Sequence, residues 1–211
     1  NQSLEFVKRE LTDKSGGFYS SLNADSEGEE GKFYVFTYHE FQQALNEELL
    51  PLLSNYYQIT KGGNWEEGKN ILLPKASKQE FAESQNISVE QFNALLKKGE
   101  EQLMNYRSKR ERPSTDDKIL TAWNALMLKA YIDAYRALGN ADYLKTAILN
   151  AKFIKKNMLK DDGKLFRNYM NEKVTIEAFL DDYAILADAY MELYSIAFDK
   201  YWLDLSQNLV D

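Results

Sequence analysis

The 211-residue chain has no cysteine, one histidine, three prolines and a formal charge of −7. Without cysteine it can build no disulfide framework, no thiol redox centre and no thiolate metal site within these residues. This fits a reducing compartment, and a cytoplasmic location is expected. One histidine, His39, leaves no pair for zinc or for imidazole acid–base work, and it is expected to face solvent. The acid excess argues against a nucleic-acid or anionic-membrane partner, since both call for a basic face. No apolar run nears the ~20 residues of a membrane span, and the first residues lack a basic-then-apolar leader. No motif calls for a cofactor.

What is present is enough to fold. With 44% hydrophobic residues the chain can bury a substantial core. The stretch Gly16 to Phe36, GGFYSSLNADSEGEEGKFYVF, concentrates glycine, aromatics and acids. Its ends carry residues suited to short strands, so the middle is expected to be a hairpin tip holding Asp25, Glu27, Glu29 and Glu30. Counted from Asn23 it imitates a calcium-binding loop, but Tyr34 stands where a bidentate glutamate is needed, so no metal is expected.

Elsewhere the period is helical. Leu4, Val7 and Leu11 mark a first helix stopped at Ser15-Gly16-Gly17. Thr37/Glu40, Ser77/Glu80 and Ser88/Gln91 have capping-box spacing, and Pro51 is expected to kink or end the helix that Thr37 starts. From Gln58 to Ala76 the pattern lapses into loop, with a brief strand expected at Ile71 to Leu73. Phe92 to Tyr106 is a long amphipathic helix whose terminal Arg107, Lys109, Arg110 and Arg112 suit the negative end of its dipole. Asp116-Asp117-Lys118 is expected to open the strongest helix, with Ala122, Trp123, Leu126, Ala130 and Tyr131 on its buried face up to Gly139-Asn140. A helical neighbour runs to Met158, and an extended piece from Lys164 to Tyr169 precedes a final helical pair. Ser15-Gly16-Gly17-Phe18-Tyr19 is faintly echoed by Asp162-Gly163-Lys164-Leu165-Phe166. Helix pairs joined by tight turns on one side and longer aromatic loops on the other describe an all-α (mainly) fold: a partial α/α toroid of antiparallel helical hairpins, with short β-hairpins in the loops of one face.

The segments GGFYSSLNADSEGEEGKFYVFT, DDKILTAWNALM, DDGKLFRNY and AFLDDYA resemble the helical region of the YyaL-like, thioredoxin-domain-containing family. The resemblance implies an N-terminal thioredoxin-like domain outside this sequence and a toroid like those of six-hairpin glycosidases and N-acylglucosamine 2-epimerases. Roughly seven to nine helices are readable here, fewer than six hairpins supply. Residues 1–211 are therefore expected to be the central portion of such a domain, truncated at both ends, and to self-associate through uncovered apolar faces.

Glycoside chemistry needs two carboxyl groups ~5 to 5.5 Å apart for retention or ~6.5 to 9.5 Å for inversion. Asp25, Asp117 and Asp181 are the catalytic candidates, and Glu27, Asp116, Asn124, Arg167, Asp182 and Tyr183 the ligand-binding ones. Asp116-Asp117 and Asp181-Asp182 also stand where they would complement helix N-termini, the more frequent role of such pairs. Trp123, on the apolar stripe, reads as core rather than as a sugar platform. Arg167 could meet an anionic ligand or form a structural ion pair. Two functions stay open: a domain that binds and processes a carbohydrate or polyol, and a non-catalytic helical scaffold beside the thioredoxin-like domain.

Overall fold

The computed structural model describes residues 2–211 and is mainly helical. In chain order come α1 (Gln2–Glu10), β1 (Ser21–Leu22), β2 (Asp25–Ser26), β3 (Glu29–Glu30), β4 (Phe36–Thr37), α2 (Tyr38–Ala44) and α3 (Leu49–Tyr56). There follow a 3-10 turn at Glu66–Gly68, β5 (Lys69–Asn70), α4 (Lys78–Ser84), α5 (Val89–Arg107), β6 (Thr115–Asp116), β7 (Ile119–Leu120), α6 (Thr121–Leu138), α7 (Ala141–Asn157), β8 (Asn168–Met170), β9 (Lys173–Val174), α8 (Leu180–Ala197) and α9 (Lys200–Val210). The elements divide into two compact units. An outer unit combines the residues up to Leu22 with Thr115–Asp211, and an insert runs from Asn23 to Ser114.

The outer unit is a set of antiparallel helical hairpins. Gly139, in the left-handed region at φ 68°, ends α6, and the Asn140 side chain caps α7 by accepting from the Asp142 amide. Phe198 at φ 53° and the Asp199 cap repeat the device between α8 and α9. Helix α6 also packs along α8. Their shared core holds Leu128, Tyr131, Ile132, Ala147, Ile154, Leu186, Tyr190 and Leu193, all fully buried. Fully burying side chains of this size is worth about 1.5–3 kcal/mol each, so this core dominates the unit's stability.

The faint echo in the sequence is a repeat of backbone structure. After α1, the amide of Asp13 donates to Gly17 O, Gly16 to Asp13 O and Tyr19 to Leu11 O, with Thr12 bridging Phe18. After α7, Lys160 donates to Lys164 O, Gly163 to Lys160 O and Phe166 to Met158 O, with Leu159 bridging Leu165. Gly16 and Gly163 occupy equivalent positions with φ of 103° and 84°, where a side chain would be strained.

The turn and the helix that follows it are tied together in the same way both times. Phe18 donates its amide to Asn124, fourth residue of α6, and Leu165 donates its amide to Tyr183, fourth residue of α8. In the first copy the insert lies between turn and helix. Its ends are held together by β1 and β6, where Ser21 pairs with Asp116 and Leu22 with Thr115.

The insert has its own core of Phe41, Leu49, Leu53, Tyr56, Phe81, Phe92 and Leu96. All three capping boxes form as their spacing predicts. Asp25 and Ser26 pair with Glu30 and Glu29 across a turn in which Glu27 and Gly28 both have positive φ, 52° and 79°, as a type I′ turn requires.

Four expectations need correction. The two ends of Gly16–Phe36 do not pair with each other: Ser21–Leu22 joins Thr115–Asp116, and Phe36–Thr37 joins Lys69–Asn70. That second pairing also places the brief strand at Lys69–Asn70 instead of Ile71–Leu73. Pro51 does not end a helix; α2 has already stopped at Ala44, and Pro51 sits in the first turn of α3, where no amide partner is lost. Asp116 and Asp117 do not open α6, which begins only at Thr121 after β7.

Candidate functional site

The residues that build a candidate site stand where α6 and α8 begin. Strand β7 pairs with β8, and β8 with β9, which places the Arg167 backbone beside the start of α6. Thr121 donates its amide to Arg167 O at 2.9 Å, and Arg167 donates its own to Ile176 O at 2.8 Å. The Arg167 guanidinium meets Asp182, the third residue of α8, at 2.9 Å from Nη1 to Oδ2. Asp182 also accepts from the amides of Ala122 (3.1 Å) and Phe179 (3.0 Å). A carboxylate only 1% exposed is tolerable because two helix N-termini and a guanidinium supply donors to both of its oxygens.

Around this pair, of which only Asp182 is buried, the surface is aromatic and charged. Asp181 is 56% exposed at its side chain and lies 3.6 Å from Arg167 Nη1. The Phe179 ring, 58% exposed, has the guanidinium 4.8 Å from its centroid. Trp123, one residue beyond the Ala122 amide, is 56% exposed. Its expected burial is overturned: α6 buries Thr121, Asn124, Ala125, Leu128, Tyr131 and Ile132 instead, and turns Trp123, Leu126 and Ala130 outward.

The other candidates fall into different roles. Asn124 is buried, with Oδ1 accepting from Phe18 N and Asn150 Nδ2, and Nδ2 donating to Phe18 O and Leu120 O. Every hydrogen-bonding position of that amide is filled from within the protein, so it clamps the fold and has nothing left for a ligand. Tyr183 is half-buried and accepts the Leu165 amide. Asp116 pairs with Lys118 at 3.1 Å. Asp117 is exposed beside Tyr19, four residues before α6 begins.

Asp25 and Glu27 belong to the insert's hairpin. Glu27 and Glu29 pair with Lys32 at 3.3 and 3.4 Å, and Glu29 also with Lys69, whose ammonium holds the Glu29 carboxyl below its usual range. Two of the four acids of the tip, Glu27 and Glu29, are thus paired with lysines that the sequence pattern does not connect to it. Arg110 was likewise missed as a brace. It lies beyond α5 and donates to the carbonyls of Lys32, Phe33 and Val35, and it pairs with Glu40. Among the described residues no group of three His, Cys, Asp or Glu converges as metal ligands, and no helix is long and apolar enough to cross a membrane.

Several tyrosines are held in the neutral form. Burial, the hydrogen bond to Asp13 and the charges of Asp13 and Asp117 push Tyr19 up to about 12, and burial with the Glu5 charge takes Tyr131 there too. Burial raises Tyr57 and Tyr190 further. Because the folded values lie above the unfolded one of about 10, this stabilisation is complete below pH ~10 and is lost as pH rises through the folded values. Melting temperature followed by circular dichroism is therefore expected to fall between about pH 10 and 12, with tyrosinate absorbance appearing in step with unfolding. Full tyrosine ionisation at pH ~10 in the folded state would contradict it.

No family model matches the chain. It is 33% identical over 241 residues to spermatogenesis-associated protein 20 of Homo sapiens, covering 99% of this chain and 31% of that protein. To an uncharacterized protein of Caenorhabditis elegans it is 30% identical over 232 residues, covering 95% of this chain and 32% of that one. The chain thus spans about a third of the length of the curated relatives it matches. Among solved structures it is similar to a cellobiose 2-epimerase of Bacillus thermoamylovorans, with a TM-score of 0.43 and 13% identity over 99% of this chain and 51% of that one. The GH76 alpha-mannanase of Bacteroides thetaiotaomicron gives 0.42 and 12% over 99% and 67%.

Proposed function

We propose that this protein is the central portion of an α/α toroid that binds a carbohydrate or polyol at the beginnings of α6 and α8. The observation that carries it is the pair of exposed aromatic faces, Trp123 and Phe179, each next to a backbone amide held by Asp182, with Arg167 and Asp181 between exposed charge and buried support. A sugar ring offers apolar C–H faces to an aromatic plane and hydroxyl edges to a carboxylate or guanidinium, which is the combination available here. The likeness to spermatogenesis-associated protein 20 and the four sequence blocks support placing the chain in a thioredoxin-domain-containing family. In that reading the full-length protein is cytoplasmic and carries a thioredoxin-like domain.

Asp182 is too deeply committed to exchange protons with a substrate. Two-carboxylate chemistry within this unit would then rest on Asp181 with Asp117, and binding is the part of the proposal that the geometry supports best. Trp123→Ala is expected to weaken the best ligand of a glycan panel by about tenfold or more, near 1.4 kcal/mol, in calorimetric titration. Asp181→Asn should weaken it similarly without changing the melting temperature. Unchanged affinity in both variants would remove the site. The scaffold function draws on the same face, where Leu180 is 84% and Leu126 53% exposed. Capture of a protein client that Leu180→Ser and Leu126→Ser abolish, with no glycan bound by the wild type, would favour it.

A further inference from the structure

A second concave site lies in the outer unit, between the end of α7 and the beginning of α9. This cleft of about 760 Å³ is lined by Lys152, Lys155, Lys156 and Lys160, with Tyr201 and Trp202 as its aromatic wall. Lys152 and Lys156 also border a neighbouring cavity of about 690 Å³. We propose that the cleft binds the phosphate group of a small phosphorylated molecule.

The charges carry the inference. The chain has 33 acidic against 26 basic side chains, yet among the described residues Lys152, Lys156 and Lys160 have no carboxylate partner. Two acids share the lining with the four lysines: Asp161 pairs with Lys155 at 2.9 Å, and Asp162 accepts the Lys164 amide at 3.1 Å, so the cleft keeps a net positive charge. Lysines in a last helical turn can serve only to complement the helix dipole. That account covers Lys155 and Lys156, which stand in the last turn of α7. It does not cover Lys152, which lies further back, or Lys160, which lies past the end of the helix with its ammonium 5.1 Å from the centroid of the Phe166 ring.

Lys152 and Lys156, about one helical turn apart, and Lys160 on the same cleft are like charges that repel one another, and a dianion among them reverses the sign of that interaction. A phosphate monoester has about −1.5 to −2 charge near neutral pH and three acceptor oxygens, which matches three ammonium donors better than a carboxylate does. The wall is shaped for more than an ion. Trp202, 3% exposed, is fixed against Tyr190 and Tyr201 at ring distances of 5.5 and 5.1 Å. Tyr201 is 46% exposed and leaves a ring face for the organic part of a ligand.

The test is titration of the protein with inorganic phosphate, a hexose 6-phosphate and the neutral hexose, followed by amide NMR shifts at low ionic strength matched with chloride. Both phosphate probes should move resonances around Lys152 to Lys160 and Tyr201, and the neutral hexose should not. In the Lys152→Gln/Lys156→Gln/Lys160→Gln variant, whose exposed changes leave folding intact, affinity should fall about tenfold or more. Trp123→Ala should leave it unchanged, which separates this site from the one at α6 and α8. Tighter binding of the hexose phosphate, lost in Tyr201→Ala, would place its organic part on the aromatic wall, and equal binding of the two probes would assign the cleft to the phosphate group alone. Equal affinity in wild type and triple variant, or shifts no larger than chloride produces, would overturn the proposal.

Discussion

Asp182→Ala is expected to destabilise the protein by about 3 kcal/mol, at the lower end of the cost of breaking a buried ion pair because Arg167 is partly solvated. Three donors converge on that carboxylate, from Ala122, Phe179 and Arg167. Removing it leaves two amides with no acceptor and a guanidinium with only the more distant Asp181, 3.6 Å away, at the point where the first turns of α6 and α8 meet. Arg167→Ala should cost less, about 1–2 kcal/mol, because both amides keep their acceptor. Together the two substitutions should cost less than the sum of their separate effects by about 1 kcal/mol, since the guanidinium that loses its nearest partner in the first is gone. Urea unfolding of the four proteins measures this directly. A stability of Asp182→Ala within about 0.5 kcal/mol of wild type would mean that the carboxylate does not join the two helices.

Asn124→Ala is expected to be about as damaging, near 3 kcal/mol, for a different reason. No net charge is involved; both the amide and the carbonyl of Phe18 lose a buried partner at once, and so does Asn150 Nδ2. Asn124→Asp separates the two halves of the clamp. It keeps an acceptor for Phe18 N but turns a carboxylate toward the carbonyls of Phe18 and Leu120, which raises its folded pKa. The stability of this variant should therefore be greatest below about pH 4, where the acid can donate, and fall as pH rises through the folded pKa. Hydrogen exchange at the Phe18 amide reports the same event locally. If exchange there is as slow in Asn124→Ala as in wild type, the clamp is not what holds the turn.

What could be read from the sequence divides along a physical line. Helix starts were legible because a capping box is a local bargain between residues three apart, and Thr37, Ser77 and Ser88 all keep it. The stop at Gly139 and the echo of Gly16 in Gly163 were legible for the same reason. Pairings were not, since nothing near Ser21 announces Asp116 and nothing near Phe36 announces Asn70. Helix α6 misled in another way. It has apolar residues on more than one side, and hydrophobicity alone cannot choose between Trp123 with Leu126 and Leu128 with Ile132. Arg167 and Asp182 were recognised as candidates, but the burial of Asp182 depends on Ala122 and could not be seen from either residue. For Asn124 the deciding partner is Phe18, 106 positions earlier.

The clasp of Ser21–Leu22 on Thr115–Asp116 gives the chain a doorway. A passage entered and left within one strand spacing, about 4.8 Å, asks nothing of what travels through it except that it come back to the same place. The host frame closes the same way around a long guest or a short one. New material can therefore be lodged between Leu22 and Thr115, or old material trimmed, while the rods on either side keep their partners.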